Sequence, residues 1–177
     1  MSRGDRFDRA GFEARYGTSP FRSDDPEPGW PIRADFLKKV GQSVLSDRDG
    51  SGRPHKGIDL FTEAGAPVHV AQDGHVLRVV DGRSGESASL RHAGLFVDVR
   101  GVDSLIYRYL HLGDTRVERG QSVTKGEILG HVAAAHTSGL GSAPHLHFEI
   151  AISDYDPARK DYGPRRDPRT VLPRAVV

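Results

Sequence analysis

From Pro67 onward, apolar residues come in short runs or alternate with polar ones, the two-residue period of β-strands. Residues 67–71, 75–80, 95–100, 105–112 and 145–152 are strand-length, and Gly, Asp and Ser clusters separate them. Residues 117–130 form a turn-rich segment with room for two short strands. Residues 81–93 are polar and read as a loop, while 35–40 suit one short helical turn. With no long amphipathic helix and no heptad repeat, the expectation is a small, mainly β domain with little helix. The period sorts side chains most clearly in the last run. Leu146, Phe148 and Ile150 would face a core, and His145, His147 and Glu149 would line the opposite surface.

The ends of the chain have a different texture. Residues 1–29 are polar and finish in Asp24-Asp25-Pro26-Glu27-Pro28-Gly29, which reads as an N-terminal arm. The folded domain is expected over 30–177, beginning at Trp30-Pro31-Ile32, with a core at about 53–152 and an Arg-, Asp- and Pro-rich tail at 153–177. Val171 and Leu172 are the tail residues suited to pack back on the domain. Four arginines, Arg3, Arg6, Arg9 and Arg15, have no apolar stretch behind them, so no secretory signal is read here and the delivery route stays open.

Composition narrows the chemistry. The 177 residues are enough for one domain with a real core. With 25 basic and 24 acidic residues the net charge is +1, which gives no steering toward nucleic acid. No run is long and apolar enough to span a bilayer. The chain has no cysteine, so any transition-metal site must be built from His and carboxylate.

Three clusters supply such groups. His55-Lys56-Gly57-Ile58-Asp59 offers an imidazole and a carboxylate, with Gly57 letting the backbone bend so that both reach one ion. Leu60 and Phe61 after it look core-facing. In Tyr107-Arg108-Tyr109-Leu110-His111-Leu112, strict alternation puts Tyr107, Tyr109 and His111 on one face. The third is His145-Leu146-His147. His55, Asp59 and one histidine of this pair make three N/O ligands, the number that a catalytic zinc site uses. Two imidazoles are left over for proton transfer and oxyanion stabilisation.

The order and spacing of these clusters resemble the lysostaphin/LytM-type zinc metallo-endopeptidases, which cut peptide cross-links in bacterial peptidoglycan. That pattern runs through His55-Lys56-Gly57-Ile58-Asp59, Gly65-Ala66-Pro67-Val68, Asp73-Gly74-His75-Val76 and Tyr109-Leu110-His111-Leu112. It continues with glycines 120, 126 and 130 spaced from Val117 and Val123, closes on Pro144-His145-Leu146-His147-Phe148-Glu149, and ends at Asp167-Pro168 with Leu172. It covers about residues 30–172.

The resemblance implies one antiparallel sheet with an open active-site groove, of the duplicated hybrid-motif type, and one zinc ion per chain. His55, Asp59 and His147 would be the metal ligands. His145 would be the general base toward the zinc-activated water, and His111 would stabilise the oxyanion or position that water. Tyr109 and Glu149 are supporting candidates, with a surface salt bridge as the plainer reading of Glu149. The implied partner is peptidoglycan, through its stem peptides or cross-bridges, met in the periplasm or at the cell wall by a monomer. The alternative within the same family is an inactive module that binds peptidoglycan or activates a hydrolase. Three departures bear on substrate choice. Gly101 stands where the pattern often has a histidine, Ser142-Ala143 replaces the usual Thr-Gly, and the Asp81 to Ala93 loop is longer than usual. The other histidines, His69, His75, His92, His131 and His136, are assigned to surface or loop positions, with His131 and His136 nearest the active strand in sequence.

Overall fold

The computed structural model describes residues 28–41, 44, 54–158 and 162–173. The arm expected at 1–29 lies outside them up to residue 27. The described chain builds one ten-stranded antiparallel system: β1 (Lys39–Val40), β2 (Ile58–Phe61), β3 (Pro67–His69), β4 (Gly74–Asp81), β5 (Leu95–Gly101), β6 (Ile106–Thr115), β7 (Ser122–Val123), β8 (Ile128–Val132), β9 (His145–Ala151) and β10 (Arg165–Arg166). The strand order is β1-β2-β9-β6-β5-β4-β7, with β10 beside β9 and β8 joining β3 to β6. Two short helices complete it, α1 (Ala88–Ala93) and α2 (Pro168–Val171).

The alternation read in the sequence holds in β9. Leu146, Phe148 and Ile150 have no exposed surface and pack with Ile58, Leu60, Tyr107 and Tyr109 in the main core. Burying side chains of this kind is worth about 1.5–3 kcal/mol each. The opposite face is covered too, which the sequence did not suggest: His147 and Glu149 are buried. Toward the far end of that face Ile106 pairs with Ala151, and the tail residue Tyr162 packs over them. Glu149 is therefore an interior residue and not a surface one.

Three other expectations change. The stretch 81–93 is not all loop: β4 runs to Asp81, and Ser87 caps α1 by accepting a hydrogen bond from the Leu90 amide. Gly94 ends that helix at a φ of 68°. Six residues are too few to carry a helical period. Residues 34–36 form a turn, as expected, but 39 and 40 form β1. Finally, Leu60 faces the core while Phe61 does not. Phe61 pairs with His145, and their rings lie 5.1 Å apart.

The tail and the start of the domain meet. Leu172 is buried, Val171 packs on the core, and the Trp30 indole N–H donates to the Pro173 carbonyl at 2.7 Å. Among the described residues no helix is long and apolar enough to cross a membrane.

Gly57 has a different purpose from the bend expected of it. A Cβ at this position would sit 2.2 Å from the Phe148 carbonyl oxygen and 2.9 Å from the Glu149 side chain. Glycine is needed because β2 enters against the backbone of β9. Gly57→Ala is expected to push the two strands apart and to lower stability by about 1–3 kcal/mol, read from the midpoint of urea denaturation at unchanged slope.

Candidate metal centre

The antiparallel register of β2 on β9 sets Asp59 directly opposite His147. Opposed side chains share a face at close range, and the Asp59 Oδ1 lies 2.8 Å from the His147 Nδ1. His55, just before the strand, brings its Nε2 to 3.2 Å from each of those two atoms. All three residues are buried, and they form the metal-capable group of the described residues. A tetrahedral zinc with N and O ligands at about 2.0–2.1 Å needs its donor atoms roughly 3.3 Å apart. The triangle found here is close to that.

The protonation pattern suits the same purpose. Glu149 Oε1 lies 3.0 Å from the His147 Nε2. The carboxylate only accepts, so that nitrogen donates, and Nδ1, facing Asp59 and His55, is the nitrogen that would ligate a metal once it gives up its own proton. Burial opposes charge on His147, but hydrogen bonds to Asp59 and Glu149 outweigh it and hold its pKa above the ordinary value. Burial also works against the Asp59 carboxylate, and the bonds from His147 and His55 overcome it, holding the pKa far below the usual range. The His55 Nδ1 is buried with no hydrogen-bond partner among the described residues.

Two further imidazoles stand beside the triangle. His145 precedes His147 on the same face, with its Nε2 at 3.6 Å from the Asp59 Oδ1. Its Nδ1 donates to the Ala143 carbonyl at 3.0 Å. Ala143 is not among the residues of positive φ, so the replacement of glycine there leaves no strained backbone.

His111 reaches the site by a route that alternation did not foresee. Leu95 pairs with Leu112 and Val97 with Tyr109, so Leu110 and His111 together oppose Phe96 alone. This is a β-bulge. At His111 the backbone takes a φ of 66°, a left-handed conformation that non-glycine residues rarely adopt. The bulge turns the His111 ring off the core face and toward His145 and His147, with ring centroids 5.1 and 6.0 Å away. Tyr109 stays on the core face. It packs against Phe148, and its hydroxyl accepts a hydrogen bond from the Ala71 amide at 2.9 Å. Tyr109 and His111 thus part company.

The loop after β8 holds His111 in place. The His111 Nδ1 donates to the Ser138 carbonyl at 3.0 Å. The Ser138 hydroxyl donates to the Leu112 carbonyl and accepts from the Leu95 amide. Burial, reinforced by His147 and His145, pushes the His111 pKa down to about 3, so the ring is neutral. Ser138 had no signal in the sequence. His92 was also missed: exposed on α1, it sets its ring edge-on to His111 at 5.9 Å. His131 instead pairs with Asp114 at 2.9 Å.

The chain has relatives among known proteins. It is 33% identical over 145 residues to the cell division protein DipM of Caulobacter vibrioides, a match covering 82% of this chain and 21% of that protein. It is 34% identical over 99 residues to the peptidoglycan DD-endopeptidase ShyB of Vibrio cholerae, covering 56% and 21%. The chain thus spans about a fifth of the length of these two relatives. The catalytic domain of the antimicrobial peptidase lysostaphin from Staphylococcus simulans shares its fold. The TM-score is 0.61 at 24% identity, over 77% of this chain and 91% of that one. The model of Peptidase family M23 matches residues 53–159, from just before His55 to beyond the end of β9. With more than half of its length matched in this way, the chain belongs to peptidase family M23.

Proposed function

We propose that the protein is a zinc-dependent endopeptidase that hydrolyses peptide cross-links of bacterial peptidoglycan. The observation that carries this reading is the triangle of the His55 Nε2, Asp59 Oδ1 and His147 Nδ1, with two more imidazoles turned toward it. Three N/O donors without a thiolate suit zinc, and they leave one tetrahedral position over. When bound there, zinc would supply Lewis acidity, polarising a peptide carbonyl and bringing the pKa of an adjacent water toward about 7.

The side chains divide the remaining work. His55, Asp59 and His147 would hold the ion. His145 has its Nδ1 proton committed to the Ala143 carbonyl, so its Nε2 carries the lone pair. This imidazole is the general base: it takes a proton from the attacking water and returns it to the leaving amine. His111 likewise has its Nδ1 proton committed, to Ser138. A neutral ring in that tautomer accepts at Nε2 and does not donate. In that state His111 orients the water, the second of the two roles expected above; stabilising the oxyanion, the first, needs a proton at Nε2 as well. Glu149 supports the site by fixing the tautomer of His147.

The substrate class is supported by the family and by a relative that bears the name peptidoglycan DD-endopeptidase. Peptidoglycan places the reaction in the periplasm or at the outer wall. The bond cut, in a glycine bridge or in a direct link between stem peptides, is read by mass spectrometry of products from sacculi of each cross-link type.

Protein purified without chelator is expected to carry one zinc per chain by elemental analysis, and a strong chelator is expected to remove metal and activity together. A protein that holds no zinc and does not respond to added zinc would instead be the binding or activating module. His55→Ala and Asp59→Ala are expected to lose both metal and hydrolysis. His145→Ala is expected to keep its zinc while turnover of cross-linked muropeptides falls by about 10²–10⁴-fold. Wild-type turnover in His145→Ala would overturn its assignment as base.

A further inference from the structure

We propose that the segment after the family-matched stretch is a positioning clamp for the metal centre, with Arg165 and Tyr162 fixing Glu149 and, through it, the ring of His147. The inference rests on the reading of His147 as a metal ligand. The family match ends at residue 159, so neither Arg165 nor Tyr162 belongs to the matched part.

The geometry is a convergence on one carboxylate. The Glu149 Oε2 receives two guanidinium groups, Arg108 through Nη1 and Arg165 through Nε, each at 2.8 Å. With Oε2 taken twice, Oε1 is left to accept the His147 Nε2–H. Charge-assisted bonds of this kind are short and directional. Glu149 and Arg165 have side chains only 4% and 6% exposed, so water does not substitute for a missing partner. Burial works against the carboxylate charge, and the arginines and His147 overcome it, keeping Glu149 well below the usual range.

The tail supports both arginines. Antiparallel pairing of β10 sets Arg165 opposite Ala151, two residues along β9 from Glu149. The Arg165 Nη1 donates to the Gly163 carbonyl, so its fork bridges the carboxylate and its own backbone. Arg108 lies with its guanidinium carbon 3.7 Å from the centre of the Tyr162 ring. Its Nε donates to Asp98 at 3.0 Å, and the Tyr162 hydroxyl donates to the other Asp98 oxygen at 2.6 Å. The Tyr162 carbonyl is held in turn by the Ser153 hydroxyl. A line of contacts therefore runs from the tail through Asp98, Arg108 and Glu149 to His147.

Charge and orientation make opposite predictions when Arg165 is removed. Losing a cation leaves the centre more negative, which alone would favour a bound metal ion. Losing orientation frees Glu149 and the His147 ring, which weakens metal binding. A fall in affinity is thus the mark of positioning.

The test uses the full chain with Arg165→Ala, Arg165→Lys and Tyr162→Phe. Zinc affinity is measured by competition with a chromophoric chelator, the visible spectrum is taken after cobalt substitution, and melting is followed separately. Arg165→Ala is expected to weaken zinc binding by roughly 10–100-fold, the range for lost outer partners of a metal-bound histidine, and to shift the cobalt bands. Arg165→Lys keeps the charge and one donor, and is expected to recover part of the loss. Tyr162→Phe is expected to show a smaller loss in the same direction. Should Arg165→Ala fail to fold, the other two variants decide. Wild-type zinc affinity and cobalt spectrum in the folded variants would overturn the clamp, even with lower melting points. A wild-type chain that binds no zinc would overturn both the clamp and the ligand reading beneath it.

Discussion

The antiparallel register of β2 on β9 is the constraint on which the rest depends. It sets Asp59 across from His147, and with the same step sets Ile58 and Leu60 across from Phe148 and Leu146 in the core. Because strand side chains alternate, a slip of one residue would send Asp59 into the core and Leu60 into the site. The apolar residues therefore hold the polar ones in place. The close approach of the chain at Gly57 to the Phe148 carbonyl belongs to the same fit.

On the other side of β9, β6 continues the site face. Arg108 stands opposite Glu149 and Leu110 opposite His147. The face is therefore graded along its length. It is apolar at Ala151 and Ile106, ion-paired at Glu149 and Arg108, and metal-capable at His147 and Asp59. Buried charges are tolerated there because each has partners: Asp98 meets Arg108 and Tyr162, and Glu149 meets Arg108, Arg165 and His147.

Much of this was legible in the sequence, and the remainder was hidden for definite reasons. The faces of β9 follow from its two-residue period alone. The grouping of His55, Asp59 and His147 did not follow from spacing, since 88 residues separate the last two, and came from the resemblance. His111 was placed on the wrong face relative to Tyr109, because a bulge without a glycine leaves no mark in the pattern. Glu149 looked like a surface residue, because the tail that covers it lies 16 positions further along the chain at Arg165. Ser138 meets His111 through its carbonyl, which every residue type possesses, so that contact leaves no mark in the sequence, while its hydroxyl ties the loop to Leu95 and Leu112.

The bulge at His111 has a bearing on how loops can be exchanged among such domains. The direction of this ring is set jointly by its own left-handed backbone and by the carbonyl of a loop that is itself stitched to Leu95 and Leu112. Gly94 and Gly139 press the same loop against the end of α1 so closely that neither has room for a Cβ. This loop and the orientation of the His111 imidazole are thus one mechanical unit. A transplanted loop would bring a new aim for His111 along with its own sequence, so the loop and the direction of that ring would vary together and not as independent traits.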